Sequence, residues 1–286
     1  MNKIINLIEQ KALFLGASKE FEKCEKVIVG LPMDATTSFR PGTRLAPYRV
    51  REVSEGIEEY SVYLDKSLEE INYYDVGDLI IPFGNIAESL NRMELVTEEL
   101  LNLGKKVYAI GGEHLVTLAL IKAYTQFYNN LVVIQFDAHA DLREDYLGES
   151  MSHATVMRKI VDLIPEKNLY QLGIRSGTKE EFEYARENTN LYLDTLPNVD
   201  ELKAKIGNKP VYITVDIDFL DPAFAPGTGT PEAAGFTSRE LLQILRDLNC
   251  LNIVGFDLVE ISPPFEKGDN TSILGAKILR EALLAY

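Results

Sequence analysis

Leu131-Val132-Val133-Ile134-Gln135-Phe136 runs directly into Asp137-Ala138-His139-Ala140-Asp141, an apolar, β-branched segment ending in a polar motif. A strand buried on both faces reads as a near-continuous apolar run of this kind. Residues two apart on an extended chain point to the same side, so Asp137 and His139 can address one target. Asp141 joins them if the chain curls as it leaves the strand. The same pattern recurs along the chain. Residues 106–110 lead into Gly111-Gly112-Glu113-His114, residues 211–215 into Asp216-Ile217-Asp218, and residues 252–258 into Val259-Glu260. Residues 26–30 and 169–174 read as two more buried strands.

Helical patterns separate these runs. They cover residues 86–103, 115–128, 154–164, 179–187, 239–248 and 273–285. Thr178 with Glu181 and Thr237 with Glu240 have the spacing of capping boxes, in which each side chain satisfies the other's backbone N–H. Apolar strands alternating with helices imply parallel strands covered on both faces by right-handed crossovers. The expected fold is therefore α/β, a three-layer α/β/α arrangement with a mainly parallel central sheet. No Gly/Ser- or Pro-rich linker and no internal repeat divides the pattern, so a single domain over residues 1–286 is expected. In such sheets, sites form beyond the carboxyl ends of the strands. The polar motifs fall there without adjustment.

Composition narrows the function classes. A formal net charge of −15 argues against nucleic acid or an anionic membrane as partner and favours a cationic ligand. Cys24 and Cys250 are the only cysteines, far apart and without metal-type spacing, which fits a reduced cytosolic protein. Met1-Asn2-Lys3-Ile4-Ile5-Asn6 opens no apolar signal region, and no stretch of about 18 apolar residues could span a bilayer. A cytoplasmic location is expected.

All three histidines, His114, His139 and His153, sit in short acidic or glycine-marked motifs. Two histidines among Asp137, Asp141, Asp216 and Asp218 form a donor set for a pair of hard divalent ions. Such ions repel strongly unless bridged. Aspartates have two oxygens each, and Asp137 and Asp216 are placed to bridge. A carboxylate-rich set with a minority of imidazoles suits Mn²⁺ better than Zn²⁺.

With these motifs the chain resembles the ureohydrolases, the family of arginases, agmatinases and formiminoglutamases. The resemblance runs from Gly30-Leu31-Pro32-Met33-Asp34 and Arg40-Pro41-Gly42-Thr43-Arg44 to Glu260-Ile261-Ser262-Pro263-Pro264. Asp216-Ile217-Asp218-Phe219-Leu220-Asp221-Pro222, with Ala225-Pro226-Gly227-Thr228-Gly229, is similar to a family signature. The resemblance implies two Mn²⁺ ions per subunit. One would be held by His114, Asp137, Asp141 and Asp216, the other by Asp137, His139, Asp216 and Asp218. It also implies a homo-oligomer, a trimer or hexamer. Glu113 stands where the family commonly has Asp before the first histidine, which alters the surroundings of the site and removes no ligand.

Metal coordination makes hydroxide available near neutral pH, for attack on a guanidinium carbon. Together with its ions, the site stays net negative and attracts a small cationic guanidine. Catalytic roles fall to Glu260, which would hold the guanidinium by a charge-assisted pair, to His153, a proton shuttle to the departing amine, and to Asp141. The plainer readings are that His153 starts a helix after Ser152 and that Glu260 ends a strand facing solvent.

The substrate's tail is read from the loop after Asp141. Arginases usually place Asn two residues after this Asp, and here that residue is Arg143. The loop through Glu144-Asp145-Tyr146-Leu147-Gly148-Glu149 to Ser152-His153 looks like the agmatinase version, with Glu144, Asp145 and Glu149 available to attract a distal ammonium. Agmatine hydrolysis to putrescine and urea is expected. The alternatives are 4-guanidinobutyrate, whose carboxylate would pair with Arg143, free guanidine, arginine, or a catalytically silent polyamine-binding protein. Among other features, Gly111-Gly112 is expected to turn the backbone tightly under the metals. Gly227-Thr228-Gly229 lacks the Lys-Ser/Thr of a phosphate loop and is expected to shape a pocket wall. Arg40, Arg44 and Arg51 are expected in surface ion pairs, and the aromatic residues of 123–128 in the core.

Overall fold

The computed structural model describes residues 4–18, 20–193 and 195–286; the first three residues of the N-terminal segment read above for a signal lie outside them. Its strands are β1 (Ile8–Glu9), β2 (Lys26–Leu31), β3 (Tyr60–Ser61), β4 (Lys66–Ser67), β5 (Tyr73–Leu79), β6 (Lys106–Gly111), β7 (Val132–Phe136), β8 (Leu169–Leu172), β9 (Asn190–Tyr192), β10 (Pro210–Asp216) and β11 (Asn252–Val259). Apart from the β3–β4 hairpin, all belong to one sheet, in the order β1-β5-β2-β6-β11-β10-β7-β8-β9. Among the described residues of this sheet, only β1 runs antiparallel to its neighbour.

Helices cover both faces. Val50 of α1 (Ala46–Ser54), Leu202 of α6 (Val199–Ile206), Leu241 of α7 (Ser238–Asp247) and Leu279 of α8 (Asn270–Ala285) pack into one apolar cluster with Ile28, Ile134 and Ile213 of the sheet. Met93 of α2 (Ile86–Asn102), Leu120 of α3 (Val116–Phe127), Ile160 of α4 (Val156–Val161) and Ala185 of α5 (Lys179–Asn188) pack into the other, with Val29, Ala109 and Val133. These two clusters on opposite faces make the three-layer arrangement. Both expected capping boxes form, at the starts of α5 and α7.

Several expectations need correction. The helix over 154–164 is shorter: a 3₁₀ turn at His153–Thr155 leads into α4. Strand β5 was not anticipated, because Asp75, Gly77 and Asp78 interrupt its apolar run. Arg51 explains that interruption. It is buried in α1, with Nε 2.7 Å from Asp75 Oδ2 and Nη1 2.5 Å from Asp78 Oδ1, and is no surface residue. Burial pushes the Asp78 carboxyl up, while the guanidinium of Arg51 opposes that shift. Arg44 does pair with Asp34 at 3.3 Å, and Arg40 lies over the rings of Phe39 and Phe265.

Strands β6, β11, β10 and β7 are adjacent and parallel. Their carboxyl ends therefore face one rim, and each of the four polar motifs starts there.

Candidate active site

Asp137 leaves β7 and Asp216 ends β10, one strand away. Asp137 is fully buried and divides its oxygens between two histidines. Oδ2 is 3.0 Å from His114 Nδ1, and Oδ1 is 3.7 Å from His139 Nδ1. His114 Nδ1 is also 3.2 Å from Asp141 Oδ2 and 3.4 Å from Asp216 Oδ2. On the other side, His139 Nδ1 lies 2.9 Å from Asp218 Oδ2. His114, Asp137 and Asp216 thus form one group able to hold a metal ion, and Asp137, His139 and Asp218 a second. Asp137 belongs to both.

Backbone geometry creates this convergence. Asp141 adopts φ of 54°, the left-handed curl needed to turn its carboxylate back toward the strand end, and Glu260 adopts φ of 64° as β11 ends. Such conformations are uncommon away from glycine and concentrate at functional sites. The Asp218 N–H donates to Asp216 Oδ1 at 2.8 Å, and the His139 N–H donates to Asp137 Oδ1 at 2.6 Å. Gly112 has a different role from the expected tight turn. Its φ is ordinary, but a Cβ there would lie 1.8 Å from the Met33 carbonyl oxygen, so only glycine lets the two segments meet.

The electrostatics call for a cation. Burial pushes the Asp141 carboxyl up to about 7, and the neighbouring Asp137 charge adds to the shift. Burial, then the charges of Asp218 and Asp137, drive Asp216 well above the carboxylate range. Burial opposes a charged His114, yet Asp137, Asp141 and Asp216 together hold its imidazole well above the usual value. His114 Nδ1 is buried with no hydrogen-bond partner among the described residues while facing three carboxylate oxygens. An unpartnered buried nitrogen surrounded by crowded carboxylates fits a metal ion between them, since buried charge needs a partner.

His153 and Glu260 line the same pocket, a cleft of about 260 Å³ that also includes Ser38, Arg143, Tyr146 and Glu181. That volume suits a small substrate. His153 is buried, with Nε2 3.2 Å from Ser38 Oγ and Nδ1 3.4 Å from Thr36 Oγ1. Burial pushes its imidazole down to about 4. Glu260 is buried too and does not face solvent. Its Oε1 accepts the His114 N–H at 2.8 Å, and burial pushes its carboxyl up to about 8.

The tail region differs from expectation. Glu144 pairs with Arg158, Asp145 accepts the Gly148 N–H, and Glu149 accepts the Met151 N–H. None of the three lines the pocket. The acidic group beside Arg143 in the pocket is Glu181, whose role in the capping box of α5 gave no hint of a place in the site. It accepts the Leu142 N–H and lies 3.4 Å from Arg143 Nε. The guanidinium of Arg143 lies over the Tyr146 ring, 5.1 Å from its centroid. Thr36 and Ser38 carry no signal in the sequence, because they belong to a loop with no periodicity. Residues 227–229, expected to shape a wall, are not among the residues lining this pocket; the next residue, Thr230, is, and a Cβ at Gly229 would lie 3.3 Å from Glu260 Oε2.

Residues 25–285 match the model of the arginase family. The chain belongs to the arginase family. It is 50% identical to the agmatinase of Bacillus anthracis over 278 residues, 96% of each chain. It is 46% identical to the agmatinase of Bacillus subtilis over 279 residues, again 96% of each. Among solved structures it resembles the agmatine ureohydrolase of Thermoplasma volcanium with a TM-score of 0.87 and 30% identity, covering 100% of this chain and 97% of that one. Membership of the arginase family makes the protein a ureohydrolase on an arginase-like fold. No helix among the described residues is long and apolar enough to cross a membrane.

Proposed function

We propose that this ureohydrolase is an agmatinase, hydrolysing the guanidinium group of agmatine to give putrescine and urea. The observation that carries the reading is the pair of donor groups sharing Asp137, with Glu260 and His153 on the wall of the same small pocket. The names of the relatives at 46% and 50% identity support the choice of agmatine among guanidines.

In this reading His114, Asp137, Asp141 and Asp216 would hold one Mn²⁺ ion, and Asp137, His139, Asp216 and Asp218 the other. Two bound ions would supply hydroxide at neutral pH by lowering the pKa of water from about 15.7 to about 7. Glu260 receives the guanidinium cation, whose charge favours the ionised carboxylate against the burial that raises it. Its backbone is fixed to Gly112 and its Oε1 to the His114 N–H, so the acceptor is positioned before substrate arrives. His153, neutral at pH 7 because it is buried, is free to take a proton at one ring nitrogen and release one toward the leaving amine. The Thr36 and Ser38 hydroxyls hold the two nitrogens.

The chain is read as a single domain over residues 1–286, because one sheet joins β1 to β9 across the full order. It is proposed to work in the cytoplasm as a homo-oligomer, a trimer or hexamer, as the family resemblance implies. The net charge of −15 accords with a cationic substrate. Urea release by Mn²⁺-loaded protein, compared across agmatine, arginine, 4-guanidinobutyrate and free guanidine, tests the proposal. Turnover of agmatine above the rest is the expected result. Turnover of another guanidine would reject the tail assignment, and no urea from any, with metal bound, would favour a silent polyamine-binding protein.

A further inference from the structure

Behind the site, Asp257 is fully buried in β11 and both its oxygens receive hydroxyls. Thr214 donates to Oδ1 at 2.6 Å, while Tyr212 and Thr117 donate to Oδ2 at 2.8 and 3.0 Å. Thr214 stands two residues before Asp216 on β10, so it points to the same side of the strand. Its Oγ1 is 3.0 Å from His114 Nε2. A hydroxyl has one proton to give. Thr214 gives it to Asp257 and therefore meets the imidazole as an acceptor. Nε2 must then carry the ring proton, which leaves the lone pair of Nδ1, on the side of Asp137, Asp141 and Asp216, for a metal ion that these carboxylates would hold with it.

We propose that Thr214 and Asp257 are positioning residues that fix the ring orientation and Nε2–H tautomer of His114, and so set the affinity of the first donor group for its metal ion. This rests on reading the centre as a two-metal site. The device is asymmetric. Among the described residues, the ring of His139 meets carboxylates through Nδ1, and its Nε2 has no hydroxyl–carboxylate chain behind it. A fault in the chain behind His114 should thus weaken one site more than the other. Partners of this kind orient metal-bound imidazoles and raise their basicity, and their loss commonly costs about 10- to 100-fold in metal affinity.

The test is calorimetric titration of Mn²⁺ into chelator-stripped protein, with metal content checked after dialysis. Wild-type protein should bind two ions. Thr214→Val, which replaces the hydroxyl by a methyl, should weaken one of them by about 10- to 100-fold, and Thr214→Ser should restore it. Thr117→Val and Tyr212→Phe each take one hydroxyl from Asp257 and remove no side-chain contact to the His114 ring; the Thr117 hydroxyl also lies 3.5 Å from Thr214 Oγ1, so Tyr212→Phe is the cleaner of the two. They report the cost of disturbing the same buried cluster and should leave both affinities close to wild type. If Thr214→Val fails to fold, Thr214→Ala is judged in the same titration. A folded Thr214→Val or Thr214→Ala protein with two wild-type affinities overturns the assignment and leaves the two-metal reading intact. Equal losses in Thr117→Val and Tyr212→Phe also overturn it, by making the cluster merely structural. Wild-type protein that binds no Mn²⁺ defeats the two-metal reading, and this inference with it.

Discussion

Glu113 holds Thr36 with both oxygens of its carboxylate. Oε2 accepts the Thr36 N–H at 2.7 Å, and Oε1 accepts its hydroxyl at 2.8 Å. That same hydroxyl oxygen accepts the His153 N–H at 3.0 Å and lies 3.4 Å from the ring's Nδ1. Glu113 is fully buried, and burial pushes its carboxyl up to about 7 while the two Thr36 bonds oppose the shift. The carboxylate therefore reaches His153 through Thr36. Thr36→Val should lower kcat by about 10- to 100-fold through misplacement of His153, with metal content unchanged and most activity recovered in Thr36→Ser. Steady-state kinetics with metal analysis decides this. A Thr36→Val enzyme with wild-type kcat would leave His153 positioned by something else.

His153 itself gives a chemical and a thermodynamic prediction. His153→Asn should keep both metals and lose about 10²-fold or more in turnover. The folded imidazole is held near 4, below its ordinary 6.5, so the unfolded chain binds the extra proton first as pH falls. Its contribution to stability is complete above about pH 6.5 and is lost as pH drops toward 4. At roughly 1.36 kcal/mol per unit this amounts to at most about 3 kcal/mol. Denaturant unfolding at pH 7.5 and 5 should show wild type losing more stability than His153→Asn. Equal losses would mean that the ring is not held neutral.

Arg51, Asp75 and Asp78 show why part of the fold was hidden in the sequence. Strands β2, β6, β7, β10 and β11 were legible because most of their residues are apolar on both faces, even with single polar residues such as Gln135, Thr214 and Asp257 inside. In β5 the two carboxylates enter the interior, made tolerable by an arginine from α1 and by the Phe14 N–H, which donates to Asp75 Oδ2 at 2.8 Å. No local pattern reveals a partner so distant along the chain. The same reasoning separates the two halves of the site. Its metal-binding candidates sit at the ends of apolar strands and could be read directly. Thr36, Ser38, Glu181, Thr214 and Asp257 act through contacts that depend on the assembled sheet and loops. Arg51→Ala strands both carboxylates and should destabilise the protein by about 3–5 kcal/mol. Chemical denaturation measures this, and a loss below about 1 kcal/mol would refute a structural role for the cluster.

Removing metal should lower the melting temperature and not merely stop turnover. Asp137, Asp141, Asp216 and Asp218 converge within the protein, and without divalent cations the groups paired with them among the described residues are His114 and His139. A ligand present at 1,000 times its Kd stabilises the folded state by about 4 kcal/mol, a shift easily seen in a thermal melt. Chelator should bring the transition down and excess Mn²⁺ should restore it. An unchanged transition after complete removal would count against metal binding by these residues.

Selectivity for the tail turns on Arg143 and Glu181. A cationic arginine beside the pocket would by itself repel the ammonium of agmatine and attract the carboxylate of 4-guanidinobutyrate. Glu181 counters this from 3.4 Å away and is itself fixed by the Leu142 and Thr178 N–H groups, so the arginine is drawn to a stationary anion. The Tyr146 ring also holds the guanidinium, by a cation–π contact. Two unit charges about 4 Å apart interact by about 1 kcal/mol in water and about 4 kcal/mol near a protein surface. Neutralising Glu181 should therefore move relative substrate preference by about tenfold or more. Glu181→Gln should lower kcat/KM for agmatine and raise it for 4-guanidinobutyrate, while Arg143→Ala should move the ratio the opposite way. The ratio of the two kcat/KM values is the quantity to measure, because a capping defect in α5 that reduces the amount of active enzyme cancels from it. If neither substitution changes that ratio, the pair does not read the tail, and discrimination must come from the shape of the pocket around Tyr146.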